Sequence, residues 1–243
     1  MGTRYVVIFV VILTASVAVI LTGFRQVTKP VADRNEDIFN KRAILSAVED
    51  YMGEGVKVKD LTDLQILDVF EKQVEQTVLN LKGEVVEGVK AEDIETAKEK
   101  KKSDEDRRLP LYTFNQNGKK FYILSVRGVG LWDEIWGNIA LESDLSTICG
   151  ASFDHAGETP GLGAEIKDNA AFPRQFKGKK IFKEGEFVSV NVRKGGAIDK
   201  LYDVDAITGA TVTSNGVSEM LHRGIKDYLP YLNSLRKQSM LVE

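Results

Sequence analysis

The stretch LYTFNQNGKKFYILSV, from Leu111 to Val126, decides the fold class. Two apolar, aromatic and β-branched runs, Leu111 to Asn115 and Lys120 to Val126, flank Gln116-Asn117-Gly118. Asn-Gly accepts positive φ at both central positions of a tight turn, which matches the twist of antiparallel strands. The stretch therefore predicts a β-hairpin. Moving toward the C-terminus, the patterns at Ile135 to Glu142, Thr147 to Asp154 and Phe187 to Val192 predict further strands. Beyond them Val217, Met220, Leu221 and Ile225 recur at helical spacing.

Toward the N-terminus the periodicity changes. Lys90 to Arg108 is a dense run of mixed charge, expected to be a solvated helix or a loop, and it receives no function. Leu64, Leu67, Val69, Phe70, Val74, Val78 and Leu81 predict one helix over Leu61 to Leu81. Ile38, Ala43, Ile44, Leu45, Ala47 and Val48 predict another, opened by Pro30. From Tyr5 to Phe24 stand twenty residues without a charge. At 1.5 Å per residue they span about 30 Å of helix, the thickness of a bilayer's hydrocarbon core. The run exceeds the usual apolar length of a signal peptide, and Ala15 and Ala18 lie inside it with no polar segment before them, so a retained anchor is expected. The expected fold class is α+β: a single N-terminal transmembrane helix, then one mixed α/β domain whose largely antiparallel sheet is flanked by helices. The expected boundaries are an anchor over 1–25, a helical and charged linking region over 26–110 packed on the domain, and a ligand-binding domain over 111–243.

Composition narrows the function. A net charge of −3 gives no case for nucleic acid, which demands a basic face. The single cysteine, Cys149, precludes an internal disulfide or a cysteine-rich metal cluster, and its apolar neighbours predict a buried thiol. Two histidines, His155 and His222, are too few for a typical catalytic zinc, and no metal is expected. No nucleophile–base pair stands out, so no catalytic residue is assigned. Redox chemistry would have to come from a bound organic cofactor.

Two loops carry the chemistry. In Asp205-Ala206-Ile207-Thr208-Gly209-Ala210-Thr211-Val212-Thr213-Ser214, hydroxyls cluster around small residues ahead of the predicted C-terminal helix. Gly209 and Ala210 let backbone approach a bulky anion. Ser214 or Asn215 is the expected helix cap, which would place Thr211 just ahead of the helix, where free N–H groups favour a phosphate. Taken alone, the same stretch also reads as an ordinary capping loop. His155-Ala156-Gly157-Glu158-Thr159-Pro160-Gly161-Leu162-Gly163 follows the strand ending near Asp154. Pro160 and Gly161 force a turn, Thr159 offers a hydroxyl, and Leu162 offers an apolar surface to a ring system.

Together these loops resemble the covalent FMN-binding domain family of membrane-bound redox complexes. The first resembles its attachment motif, an aspartate, two variable residues, Ser/Thr-Gly-Ala and an acceptor threonine. The second resembles its Glu-Thr-Pro-Gly-Leu-Gly loop, and Gly128-Val129-Gly130-Leu131-Trp132 resembles its Gly-x-Gly-Leu-Trp element. Similarity covers the anchor and roughly Leu111 to Leu232. It is strongest to the C subunits of sodium-translocating NADH:quinone reductases; the G subunits of Rnf ferredoxin:NAD complexes are the alternative. His155 departs from relatives that place histidine at the position of Ala156, and receives no role.

The resemblance implies an electron-relaying subunit with one covalent FMN on Thr211, installed by a separate flavin transferase. Thr208, Gly209, Ala210 and Thr213 would shape the phosphate turn. Glu158, Thr159, Gly161, Leu162 and Gly163 would border the flavin ring, with Trp132 and Trp136 either shielding it or serving as plain core. Asp205 either organises the turn or assists the transferase. Lys194 either places a cation near the flavin or is a solvated surface lysine. The implied partners are other integral membrane subunits of the reductase, in the bacterial inner membrane. Flanking charges (Arg4 before the span, Arg25, Lys29 and Arg34 after it) would put the large domain in the cytoplasm. The resemblance implies the periplasmic side, and that reading is followed. A competing expectation is a membrane-anchored module that binds a phosphorylated ligand reversibly at Thr208 to Ser214.

Overall fold

A computed structural model describes residues 2–240. The chain divides into two compact units, one ending at Asn40 and the other beginning at Lys41. The first unit is helix α1, Thr3–Ser46, which runs on into the second. Its apolar stretch is long enough to cross a membrane and none of it is buried. The hydroxyl of Thr14 donates to the carbonyl of Val10 at 2.9 Å, so this polar side chain is satisfied within the helix, as hydrocarbon requires. Pro30, expected to open a new helix, lies inside this one.

The second unit is built on a five-stranded antiparallel meander in chain order: β1 (Val74–Asn80), β2 (Arg108–Gln116), β3 (Lys119–Val129), β4 (Glu134–Leu141) and β5 (Ile148–His155). Asn117 and Gly118 have φ of 51° and 76°, so the β2–β3 hairpin turns as its sequence dictates. Helix α2, Asp63–Gln73, begins at a capping box in which Thr62 and Gln65 satisfy each other's backbone. The helix expected over Leu61 to Leu81 stops there. Its second half is β1, because Val74, Thr77 and Val78 are β-branched and the free edge of β2 offers a full ladder of partners from Val74 to Asn80. Part of the region expected to link anchor and domain therefore belongs to the sheet.

The charged run is not uniformly solvated. It folds as a short helix, α3 (Thr96–Glu99), whose last residue is buried. The Glu99 carboxylate accepts from the backbone N–H of Arg108 at 2.9 Å and from Lys102 at 2.7 Å.

After β5 the chain forms α4 (Glu165–Asp168) and α5 (Ala171–Arg174), a hairpin of β6 (Phe182–Lys183) and β7 (Glu186–Phe187), and β8 (Asn191–Arg193) pairing in parallel with β9 (Asp203–Asp205). The strand expected over Phe187 to Val192 is thus broken between β7 and β8, with Ser189 at a φ of 62° in the gap. Helix α6, Thr211–Met240, returns across β3. Glycines permit the close approach: a Cβ on Gly216 would stand 2.3 Å from the carbonyl oxygen of Val129, and one on Gly224 2.6 Å from the Val126 side chain. Val217, Leu221 and Ile225 on α6 meet Leu124, Val126, Ile135 and Ile139 of the sheet in one core. Tyr228, fully buried, places its hydroxyl 2.8 Å from the carbonyl of Pro110 and 3.0 Å from that of Ser125, stitching α6 to β2 and β3. Cys149 is buried as expected, and burial pushes its thiol up to about 12.

Candidate functional site

Three segments far apart in sequence converge at one carboxylate. Glu158, 5% exposed, sits between the β3–β4 turn, its own loop after β5, and the first turn of α6. One carboxylate oxygen accepts from the backbone N–H of Trp132 at 2.9 Å, and the other from the hydroxyl of Thr213 at 2.6 Å. Gly130 and Gly163 leave the room it needs: a Cβ on either would lie 2.4 Å and 2.1 Å, respectively, from its oxygens. Burial alone would raise this carboxyl. The Thr213 hydroxyl and the amides of Trp132, Leu131 and Asp133 outweigh burial and hold it below the usual carboxylate range. Glu158 is therefore an ionised staple inside the loops, and its oxygens are engaged with protein donors. The N–H of Glu158 donates in turn to Nδ1 of His155 at 3.2 Å.

Around this staple lies an exposed rim. Trp132 is 69% exposed, and its indole N–H donates to Thr159 Oγ1 at 3.1 Å. Leu162 is also exposed and overlies the turn ahead of α6, where a Cβ on Gly209 would come within 2.7 Å of its methyl. Gly209 has a φ of 79°, a conformation that glycine adopts without strain. Trp136, one residue beyond Ile135, points to the opposite face of the sheet and stacks against Arg127, with the guanidinium 4.7 Å from the ring. It does not join the rim.

The turn itself differs from expectation in one respect. Helix α6 starts at Thr211 rather than after Ser214, so Thr211 is its first residue and is half-buried. Ser214 lies within the first turn and accepts from the backbone N–H of Ile207 at 3.2 Å, pinning the approach to the helix. Ala210 precedes the helix without a capping side chain, and its carbonyl accepts the first helical hydrogen bond, from Ser214 N–H at 2.9 Å. The hydroxyl cluster favours an earlier start because Thr213 is drawn to Glu158 and Ser214 to Ile207. The first N–H groups of a helix have no intrahelical acceptors, so those beside Thr211 suit an anion.

Asp205 is exposed at the end of β9, and its carboxylate accepts from the N–H of Ala197 at 2.7 Å. It thereby ties the loop between β8 and β9 to the end of β9. Gln175 braces the same residue, accepting from its N–H at 2.8 Å. Asp203, 1% exposed, holds the loop from the other side through the N–H groups of Ile198 (3.2 Å) and Asp199 (2.9 Å) and an ion pair with Arg193 at 2.7 Å. Sequence reasoning missed Gln175 and Asp203; strand alternation places Asp203 and Asp205 on one face, so it carries no signal that Asp203 is buried while Asp205 is exposed. Lys194 is exposed directly after β8, beside Ala206, whose N–H donates to the carbonyl of Arg193 at 3.0 Å. A cleft of about 330 Å³ opens between this turn and α4–α5, with Gly161, Gln175, Asp205, Ile207 and Thr208 on its walls. Among the described residues no group of three or more histidine, cysteine or acidic side chains is arranged to hold a metal.

Residues 130–226 match the family described as FMN-binding domain. The C subunit of the Na(+)-translocating NADH-quinone reductase of Neisseria meningitidis serogroup A is 42% identical over 116 residues, 47% of this chain and 45% of that protein. The chain thus spans about half the length of such relatives. The same subunit of Vibrio campbellii is 31% identical over 226 residues, 82% of either chain. Among solved structures, the corresponding C subunit from Parabacteroides distasonis superposes with a TM-score of 0.74 at 36% identity, covering 84% of this chain and 96% of that one. The NqrC of Shewanella oneidensis gives 0.69 at 26%, covering 85% and 99%.

Proposed function

The chain belongs to the family formed by the C subunits of Na(+)-translocating NADH-quinone reductases, and from that premise we propose that it is a membrane-anchored flavoprotein subunit whose Thr211 carries FMN through a phosphodiester. The observation that carries this reading is the position of Thr211: a half-buried threonine at the first position of a thirty-residue helix, two residues after Gly209, whose φ of 79° turns the chain. The matches favour the C-subunit family over the Rnf G subunits.

Attachment is a balanced group transfer. Thr211 Oγ1 forms a bond to the FMN phosphorus of FAD, AMP leaves with the electrons of the broken pyrophosphate bond, and the hydroxyl proton is lost. A separate flavin transferase supplies FAD and catalysis. The residues of the turn then hold what has been attached. The N-terminus of α6 favours the phosphodiester charge by about 0.3–1 kcal/mol or more. Gly209 and Thr208 leave the turn open to it. Leu162 and Trp132 offer apolar surface to the ring, and Thr159, with its hydroxyl proton free, can donate to a polar edge. Lys194, exposed directly after β8 where Ala206 bonds Arg193, offers a cation. FMN, when bound, supplies one- and two-electron chemistry; the protein's part is tethering, orientation and electrostatics. Glu158 fixes the three loops in one arrangement, so the rim is organised before the cofactor arrives.

The anchor confines the domain to the membrane plane and raises its effective concentration beside the other integral subunits of the reductase, its proposed partners. In the proposed orientation the domain faces the periplasm of a bacterial inner membrane, where a dissociated FMN would not be replaced and a covalent bond is useful. Boiling the protein, made together with a flavin transferase, and imaging the denaturing gel for flavin fluorescence tests the proposal. The wild-type band fluoresces and Thr211→Ser retains part of the signal. Thr211→Ala is dark while its circular dichroism is unchanged. A fluorescent Thr211→Ala band overturns the assignment, and loss of all flavin from the wild type on boiling supports reversible binding instead.

A further inference from the structure

A second cleft, of about 440 Å³, shares no lining residue with the first. It lies where α3 and the turn after it meet the start of β2, Ser125–Arg127 of β3, and residues 223–228 of α6. Six cations line it: Lys100, Arg107, Arg108, Arg127, Arg223 and Lys226. Only Glu99 and Asp227 oppose them from within the lining, and Glu99 is already occupied by Lys102 and the Arg108 amide. Arg127 and Arg223 pair with Glu134 and Glu219, and Arg107 stands 3.2 Å from Asp104 and 3.8 Å from Asp227. Among the described residues Lys100, Arg108 and Lys226 have no carboxylate partner; Lys100 donates to the backbone carbonyl of Arg127. The Nε of Arg107 is buried without any acceptor. Such an orphan donor is rare in a folded protein and marks a place where an acceptor is missing. The floor is apolar, formed by the buried Leu109, Pro110, Val126 and Tyr228.

Cations gathered over an apolar floor repel one another with less solvent to screen them. Lys100 shows the effect: burial and then the charge of Arg127 hold its ammonium below the usual lysine range. An anion seated among these groups would relieve the repulsion and take a second pairing with the terminal nitrogens of Arg107, which already reach Asp104 and Asp227. We propose that this cleft binds a small phosphate-bearing molecule with an apolar portion, its phosphate held by Arg107, Lys100 and Lys226 and its apolar part on Leu109 and Val126. The volume falls within the range of small-ligand sites and exceeds the needs of a bare phosphate. The charged segment before β2 thereby gains a function as one wall of a binding site. Two sources share this chemistry, a soluble phosphate compound and the headgroup of an anionic phospholipid.

Isothermal titration of the full chain in neutral detergent, at low salt, tests the site with two probes, inorganic phosphate and dioctanoyl phosphatidylglycerol. The expected result is saturable one-to-one binding of at least one probe, weakened about tenfold or more by Arg107→Gln and by Lys226→Gln and unchanged by Thr211→Ala. Lys226 is exposed, so its variant keeps the test valid if Arg107→Gln fails to fold. Tighter binding of the lipid probe identifies a headgroup site with acyl contact, and binding of phosphate alone identifies a soluble ligand. Binding of neither probe, or equal binding by wild type and both variants, overturns the proposal.

Discussion

Replacing Thr213 with valine removes one hydroxyl and leaves the side chain's shape nearly unchanged, which isolates the bond on which the three loops depend. Thr213 and Glu158 are 1% and 5% exposed, and the hydroxyl donates to the carboxylate at 2.6 Å. A hydrogen bond to a charged group contributes about 1.5–3 kcal/mol, and little solvent is present here to replace it. The carboxylate keeps its backbone donors at Trp132, so the loss should stay near about 2–3 kcal/mol. For a domain of this size that lowers the melting temperature by about 4–12 °C. The pH dependence distinguishes this cause from a packing defect. The folded Glu158 carboxyl is held below its unfolded value of about 4.3. Its contribution is therefore complete above that value and is lost as the pH falls through the folded one. Thermal unfolding of flavin-free wild type and Thr213→Val should differ fully at neutral pH and converge toward acid. A loss below about 0.5 kcal/mol at neutral pH, or one that does not shrink in acid, would refute the role given to this bond.

Other consequences can be checked alongside. Gly216→Ala should destabilise by about 1–3 kcal/mol in denaturant titration, because its Cβ would stand 2.3 Å from a backbone oxygen that cannot move cheaply; an unchanged midpoint would show that α6 does not approach β3 so closely. Asp205→Ala should speed amide exchange at Ala197 and slow flavin attachment while leaving the fold intact, since it removes the acceptor that draws the β8–β9 loop inward; unaltered exchange would leave Asp205 without that role. Lys194→Gln should lower the reduction potential of attached flavin without changing its yield, and an unchanged potential would make this a solvated lysine.

Much of the sheet was legible because its signals are local. Asn117-Gly118 fixes a turn from its own dihedral needs, and the runs on either side alternate with the pleat. The limits of the reading were set by partners remote in sequence. Val74 to Asn80 continues a helical rhythm and becomes a strand only because β2 presents an open edge about thirty residues later. Glu99 was one charge in a charged run until the fold brought the Arg108 amide to it. At the site, the motifs placed Glu158, Gly163, Gly209 and Thr213 in one neighbourhood. Their order could not reveal that Glu158 turns inward to bind Thr213 rather than outward to the rim. The helix start illustrates the same limit: Ser214 looks like a cap by type, but its hydroxyl is engaged with Ile207.

Mass spectrometry of the tryptic peptide containing Thr211, from chain produced with a flavin transferase, tests the central claim most directly. The account predicts a peptide heavier by one FMN less water, with fragment ions placing the addition on Thr211. A peptide recovered wholly unmodified, or carrying the flavin on Thr208 or Thr213, would contradict it.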